Sequence, residues 1–142
     1  MTFIHIWAII ISMVVSVILG FIWYGPLFGK QWMKLSGIAM PDPKPSMKVM
    51  IKPIILSLVG SLLMSCVLST SIAFHNVFYS NYFALGYGAA YLRAFLLWLG
   101  FVVPIYFNFS GWENKPWTLF FINVGYWLVF LLISSAVIVA FV

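Results

Sequence analysis

The sequence predicts an all-α integral membrane protein with four transmembrane helices, a short interfacial helix after the first span, and a candidate duplication of two hairpins. Of the 142 residues, 65% are hydrophobic and only 6% are charged, whereas ordinary soluble domains carry about 25% charged residues. Seven basic and two acidic side chains are too few to cover a soluble fold of this size. One transmembrane helix takes about 20 apolar residues, so residues 1–142 suffice for a single four-helix domain with short loops.

The first span is predicted over residues 3–24, and the interfacial helix over residues 26–37. Pro26 marks the exit from the membrane. Beyond it, apolar side chains recur at helical spacing, while Lys30 and Lys34 fall on another face. This pattern is typical of a short amphipathic helix that lies in the membrane interface.

The other three spans are predicted over residues 53–74, 82–107 and 116–139. Pro53 and Pro116 both suit the first position of a helix, where proline loses no backbone hydrogen bond. A linker with three prolines precedes the second span, and short polar segments separate the later ones. The connections are therefore short enough for neighbouring spans to run antiparallel.

A short internal similarity indicates two hairpin repeats. Leu19-Gly20-Phe21 recurs as Leu99-Gly100-Phe101, and Trp32 recurs as Trp112 at the same offset. A duplication of this kind would place the two hairpins in the same direction, as a parallel repeat. Apolar segments also match one another by chance, so chance similarity is the alternative explanation.

Basic residues gather in two of the three connectors. Five lysines lie in the first connector and its edges, namely Lys30, Lys34, Lys44, Lys48 and Lys52. Lys115 lies in the third connector, and the second connector has none. The positive-inside rule then places the first and third connectors in the cytoplasm and both termini outside. The net charge of +5 reflects this orientation, and we expect no nucleic-acid partner.

Arg93 is the one charged residue predicted inside a span. A central arginine costs about 2.5–3.5 kcal/mol on insertion scales, and neither acidic residue, Asp42 or Glu113, falls at its depth. Small residues share its helical face, which is typical of helix contacts in membranes. Arg93 is therefore expected either to attract an anion along a binding or permeation path, or to fix helix packing through backbone carbonyls.

Serines recur once per turn along the second span, at Ser57, Ser61, Ser65 and Ser69. Hydroxyls and small side chains on one face suit tight helix packing in a membrane. The alternative is a polar groove opposite Arg93, in which Ser57, Ser61 and Ser65 would contact a solute. Helix packing is the favoured interpretation, and the polar groove is the alternative.

Four residues around the first connector are candidates for contact with lipid headgroups. Lys30 and Lys34 would attract anionic lipids, at about 1 kcal/mol per basic residue. Trp23 and Trp32 are aromatic residues of the kind enriched at membrane interfaces. Membrane anchoring and orientation are the alternative role for this segment. The expected partners are therefore the lipid bilayer and its anionic lipids.

The sequence indicates neither a catalytic site nor a cofactor. It has no nucleophile elbow, no zinc-protease motif and no phosphate loop. His5 and His75 are predicted at the same outer membrane edge, which is only one of the conditions for a metal or haem site. We therefore expect no enzyme activity, no cofactor, and at most a weak metal site at these two histidines.

Two motifs resemble a bacterial membrane family called domain of unknown function 1761. The first closes the first span as Trp23-Tyr24-Gly25-Pro26-Leu27-Phe28-Gly29-Lys30, and the second runs Ile122-Asn123-Val124-Gly125-Tyr126 in the last span. The segment Leu97-Trp98-Leu99-Gly100-Phe101 is similar as well. The resemblance implies a compact four-helix protein of the bacterial cytoplasmic membrane and carries no established activity.

We expect a small channel- or transporter-like homo-oligomer in which Arg93 attracts an anionic or polar solute. Association of copies would hide Arg93 and the small-residue faces, which a single four-helix bundle buries poorly. The alternative is a structural or accessory membrane protein that binds lipid or a partner complex.

Overall fold

The computed structural model describes residues 3–37, 47–79 and 87–141, and side chains within residues 6–37, 51–52, 54–73 and 87–141. The described residues form helices and turns, without a strand. The helices are α1 (Phe3–Ile22), α2 (Gly29–Ser36), α3 (Met47–Tyr79), α4 (Tyr87–Leu97), α5 (Val103–Trp112) and α6 (Trp117–Ala140). Four stretches are long and apolar enough to span a membrane, namely Ile6–Leu27, Ile54–Ala73, Tyr87–Trp112 and Trp117–Ala140. The predicted all-α membrane fold is confirmed.

Helix α6 is the central helix of the bundle. In an apolar stretch of 18 residues within its candidate span 44% of the residues are buried, against 17–22% in the corresponding stretches of the other three spans. It contacts α1, α3, α4 and α5 as well as the short helix α2. Since lipid surrounds the outer helices, their outward faces carry large exposed apolar side chains such as Leu63 and Phe101. The interior contacts therefore converge on α6.

The core next to α6 is closely packed. Ala8 of α1, Leu68 of α3 and Ala94 of α4 are all fully buried beside Phe130 of α6. Small residues on the outer helices let their backbones approach the large side chains of α6, which is the usual way that helices associate where lipid removes the hydrophobic driving force. The middle of the single chain is thus filled by side chains.

Two π-helical turns interrupt the spans, and each accommodates a proline. The first covers Trp23–Leu27 and contains Pro26, and the second covers Trp98–Val102 and ends just before Pro104. Proline removes a backbone donor and its ring collides with the carbonyl four residues earlier. A π turn inserts one extra residue and shifts the hydrogen-bond register, so the helix continues past the proline.

Two predicted helix ends differ from the structure, and the π turn is the reason for the first. The first span does not leave the membrane helix before Pro26, because the π turn carries it to Leu27, and the interfacial helix begins at Gly29. Pro53 is not a first helical position, because α3 already begins at Met47. Pro116 lies just outside α6 as its N-cap residue.

The bundle has two chemically different ends. The end where α5 stops and α6 begins also holds α2, with Lys30, Lys34 and Lys115, and we call it the basic end. The end where α3 stops and α4 begins holds Arg93, and we call it the Arg93 end. Trp23 reaches Ile122 across this bundle while Tyr126 reaches Ser16, so α1 and α6 run antiparallel.

Candidate functional site

The turn from the first span into α2 is shaped by Gly29. The N–H of Phe28 donates to the carbonyl of Trp23 at 2.9 Å and closes the π turn. Helix α2 then starts so close to that turn that a Cβ atom on Gly29 would lie 2.5 Å from the carbonyl oxygen of Tyr24. Only glycine fits there, because a real Cβ atom does not approach a backbone oxygen so closely. The glycine therefore belongs to the geometry of the turn.

Two tryptophans at the starts of the π turns hold the central helix. The indole N–H of Trp23 donates to the carbonyl of Ile122 at 2.9 Å, and that of Trp98 donates to the carbonyl of Val124 at 2.7 Å. Gly125 of α6 lies against the ring of Trp23. A Cβ atom on Gly125 would come within 3.2 Å of that ring. Buried indole N–H groups need a partner, and α6 supplies one to each.

Three further hydrogen bonds complete an aromatic network around α6. The hydroxyl of Tyr126 donates to the carbonyl of Ser16 at 2.9 Å. The hydroxyl of Tyr24 donates to Oδ1 of Asn123 at 3.2 Å, and the indole N–H of Trp127 donates to the hydroxyl of Tyr106 at 3.1 Å. We call these side chains, with the two tryptophans above, the aromatic network. It joins α1, α5 and α6 through polar contacts inside an apolar bundle.

The predicted headgroup residues divide into two groups. Lys30 and Lys34 are exposed on α2, where they remain candidates for contact with anionic lipid. Trp32 packs edge-on against Tyr24, with 5.3 Å between ring centroids. Trp23 points into the bundle, and its indole N–H is already bonded to α6. Headgroup binding at all four positions stays a prediction, but the structure brings only the two lysines to the outside.

Arg93 lies at the side of α4 and reaches α3. Its Nη1 donates to the backbone carbonyl of Ser71, and the side chain is half-buried. The carbonyl contact expected of an arginine that fixes helix packing is therefore present. Beside the guanidinium is an open groove of about 430 Å³, lined by Ser71, Leu92, Arg93, Leu96, Leu97 and Phe101.

Arg93 lies nearer to the end of the bundle than its position in the predicted span indicates. Helix α3 has 33 residues and is about 50 Å long at 1.5 Å per residue. The hydrocarbon core is about 30 Å thick, so about 10 Å of a centred α3 extends beyond it at each end. The Ser71 carbonyl is eight residues, or about 12 Å, from the last described turn of α3. Ser71 thus lies near the end of the candidate span Ile54–Ala73, and Arg93 lies near the start of the candidate span Tyr87–Trp112.

The predicted serines do not line the Arg93 groove. Ser57 is exposed, whereas Ser61 and Ser65 are buried. The hydroxyl of Ser61 donates to the carbonyl of Leu58 in its own helix at 3.0 Å, and Oγ of Ser65 has no partner among the described residues. The serine that reaches Arg93 is Ser71, through its backbone. A solute path along Ser57, Ser61 and Ser65 stays a prediction.

The weak metal site cannot be placed, because the side chains of His5 and His75 lie outside the described residues. Asp42 lies outside them as well. Among the described residues, no three histidine, cysteine or acidic side chains come together as a metal site would require. The described part of the chain therefore adds nothing to the metal hypothesis.

The sequence contains a signal for the aromatic network that spacing alone did not reveal. Asn123 and Tyr126 are polar groups near the start of an otherwise apolar span, and polar side chains inside a membrane usually mark packing or function. Their partners Tyr24 and Ser16 lie about a hundred residues earlier. Only the fold shows which residues they meet.

The four spans and the polar contacts around α6 define a multi-pass membrane protein with a central helix. Its chain belongs to the family described as Protein of unknown function (DUF1761), whose model matches residues 7–139. The resemblance seen in the motifs at Trp23–Lys30 and Ile122–Tyr126 is therefore confirmed. No curated protein and no solved structure matches the chain.

Proposed function

We propose that the protein binds an anionic membrane lipid in the groove beside Arg93. The single observation that carries this proposal is the position of a half-buried arginine at the head of an open apolar groove. This is the lipid-binding alternative drawn from the sequence. It does not depend on the predicted serines.

The guanidinium has spare capacity for an anion. Arginine carries five N–H donors in a planar fork that suits phosphate. The described contacts use one of its nitrogens, on the Ser71 carbonyl. That contact orients the fork at the mouth of the groove without neutralising its charge. A phosphate at this point would pair with the charge and use further donors.

The groove has a charged end at Arg93 and an apolar wall beyond it, which matches the charged headgroup and the apolar chains of a lipid. Leu92 and Leu96 of α4 and Phe101 of the second π turn are all more than half exposed. From Arg93 to Phe101 the helix runs eight residues toward the centre of the bilayer, or about 12 Å. If an anionic headgroup bound to Arg93, the acyl chain of the same lipid would lie against these side chains. Among the residues that line the groove, a small hydrophilic anion would meet only Ser71 as a further polar residue.

Lipid retention by the purified protein tests this proposal. In native mass spectrometry from mild detergent, we expect wild-type protein to bind dioleoylphosphatidylglycerol about tenfold more tightly than Arg93→Gln does, the loss expected for one charge-assisted contact. Lys52→Gln, which removes an exposed lysine of α3 at the other end and outside the predicted headgroup residues, serves as the matched control. Equal binding by wild type and Arg93→Gln would contradict the proposal.

Transport of an anionic solute by a homo-oligomer is the second candidate function. The packed core around Phe130 fills the middle of the single chain, so a path would have to run between copies. The partly exposed Arg93 on the outer surface favours this candidate, because an adjacent copy would enclose it. Chloride flux into liposomes that Arg93→Leu abolishes without changing the oligomeric state would support transport. Flux equal to that of empty liposomes would argue against it.

A further inference from the structure

A second pocket lies at the basic end, between the last turns of α5 and the first turns of α6. Its volume is about 190 Å³. Its wall combines polar and apolar side chains, namely Tyr106, Phe109, Ser110, Glu113, Lys115, Leu119, Phe120 and Asn123. It is at the opposite end of the bundle from the Arg93 groove and shares no residue with it.

The two charged side chains at this pocket, Glu113 and Lys115, have opposite signs and do not pair with each other. Glu113 is exposed, and Lys115 is half-buried. Asn114 between them has a left-handed backbone with φ of 50°, which turns the chain between the two side chains. Among the described residues no salt bridge joins Glu113 to Lys115. A ligand with both charges would pair with each of them.

Glu113 does not stabilise α5, the helix that it follows. It follows the last turn of α5, and its N–H donates to the carbonyl of Phe109 at 3.1 Å. A negative side chain at the C-terminal end of a helix is unfavourable, because the exposed carbonyls there are already negative. The carboxylate therefore makes the α5 end of the pocket strongly attractive for a cation.

The inner wall offers hydrogen-bond donors that the aromatic network leaves free. The hydroxyl of Tyr106 accepts from Trp127, and its own hydrogen has no acceptor among the described contacts. Oδ1 of Asn123 accepts from Tyr24, which turns the amide N–H₂ away from that tyrosine. With the Lys115 ammonium, these groups suit an anionic oxygen.

We propose that this pocket binds a zwitterion that carries an ammonium group and a phosphate or carboxylate. Glu113 pairs with the ammonium, and Lys115, with the donors of Tyr106 and Asn123, receives the anionic group. Leu119 and Phe120 contact the carbon skeleton. The same chemistry occurs in the headgroup of phosphatidylethanolamine and in soluble phosphoethanolamine esters, and the pocket opens at the level where α6 enters the span.

Binding of matched lipids tests the assignment. We expect native mass spectrometry to show that Glu113→Gln binds dioleoylphosphatidylethanolamine about tenfold more weakly than wild type, as loss of one charge-assisted contact predicts. Dioleoylphosphatidylglycerol, which has the same chains and no ammonium, should bind both proteins alike. Lys115→Gln should also weaken phosphatidylethanolamine, whereas Lys34→Gln, outside the pocket, should not.

Glycerophosphoethanolamine distinguishes the two sources of the zwitterion. Glu113-dependent binding of this soluble headgroup with an affinity similar to that of the lipid would identify a site for a soluble ligand. Binding of the lipid alone would identify a headgroup site. Equal phosphatidylethanolamine binding by wild type and Glu113→Gln would overturn the proposal. It would also be overturned if Glu113→Gln lost phosphatidylethanolamine and phosphatidylglycerol to the same extent. These outcomes do not depend on Arg93, so the site can fail while lipid binding at the Arg93 groove is upheld.

Discussion

The two ends of the bundle use polar groups in opposite ways. Toward the basic end, the indole and hydroxyl groups of the aromatic network pair with partners on neighbouring helices, and the π turn at Trp23–Leu27 positions Trp23. At the Arg93 end, a single described hydrogen bond joins the arginine to α3, and an open groove lies beside it. The difference indicates that the network mainly holds the helices together, whereas Arg93 makes one described contact and is the residue at which we propose lipid binding.

The largest effect is expected from the turn at the basic end. Gly29→Ala places a Cβ atom 2.5 Å from the Tyr24 carbonyl oxygen, so the π turn or α2 has to move. We expect the free energy of unfolding to fall by about 1–3 kcal/mol, as for other overpacked sites. Tryptophan fluorescence during titration of the purified protein with sodium dodecyl sulfate measures the change.

Gly25→Ala is the matched control for this turn. Apart from its two chain neighbours and the backbone of its own helix, a Cβ atom on Gly25 meets nothing within 4 Å, although the residue is four positions away in the same motif. We expect stability within about 0.5 kcal/mol of wild type. If both alanine variants unfolded alike, the clash at Gly29 would not be the reason for the glycine.

A smaller effect is expected from the tryptophans that hold α6. Trp23→Phe and Trp98→Phe each remove one indole donor, and polar contacts between membrane helices contribute about 0.6 kcal/mol on average and up to about 1.7. With the lost ring contacts, we expect each variant to be about 1 kcal/mol less stable in the same titration. Trp117→Phe, at a position that is 60% exposed, should change little. A loss at Trp117 as large as at Trp98 would contradict the comparison between network and surface aromatics.

The smallest effect on stability is expected at the other end. Arg93→Met keeps an unbranched side chain and removes one hydrogen bond and one partly buried charge, two changes that oppose each other. We expect the free energy of unfolding to change by less than about 0.6 kcal/mol, the average for one such hydrogen bond, while binding of phosphatidylglycerol falls. A loss of stability greater than that of Trp98→Phe would show that the Arg93 end is as structural as the basic end.

Much of the fold was accessible from the sequence because hydropathy reports directly on the membrane. A charge content of 6% and long apolar runs predict four helices, and these are present. The predictions for the two helix ends that differ, at Pro26 and Pro53, rested on proline rules for a regular α-helix, and a π turn accounts for the difference at Pro26 alone. A π turn changes the register locally, and hydropathy contains no information about it.

The candidate sites were less accessible. Arg93 stands out as a charge in an apolar run, but its depth depends on where α3 lies beside it, and the serine that it meets is Ser71. The predicted repeat aligns Leu19 with Leu99 and therefore aligns Trp23 with Val103, although the tryptophan in the equivalent role is Trp98. The duplication stays a prediction, and the similarity in sequence does not coincide with the similarity in structure.

The sequence by itself determined that the chain is a helical membrane protein with four spans and that it belongs to its family, since composition and local motifs decide both. The tertiary structure alone decided that α6 is central, that Trp23 and Trp98 bond to it, and that Arg93 meets α3 beside an open groove. Each of these facts joins residues that are 22 to 99 positions apart in the chain. Such contacts depend on the relative placement of whole helices, which no local pattern specifies.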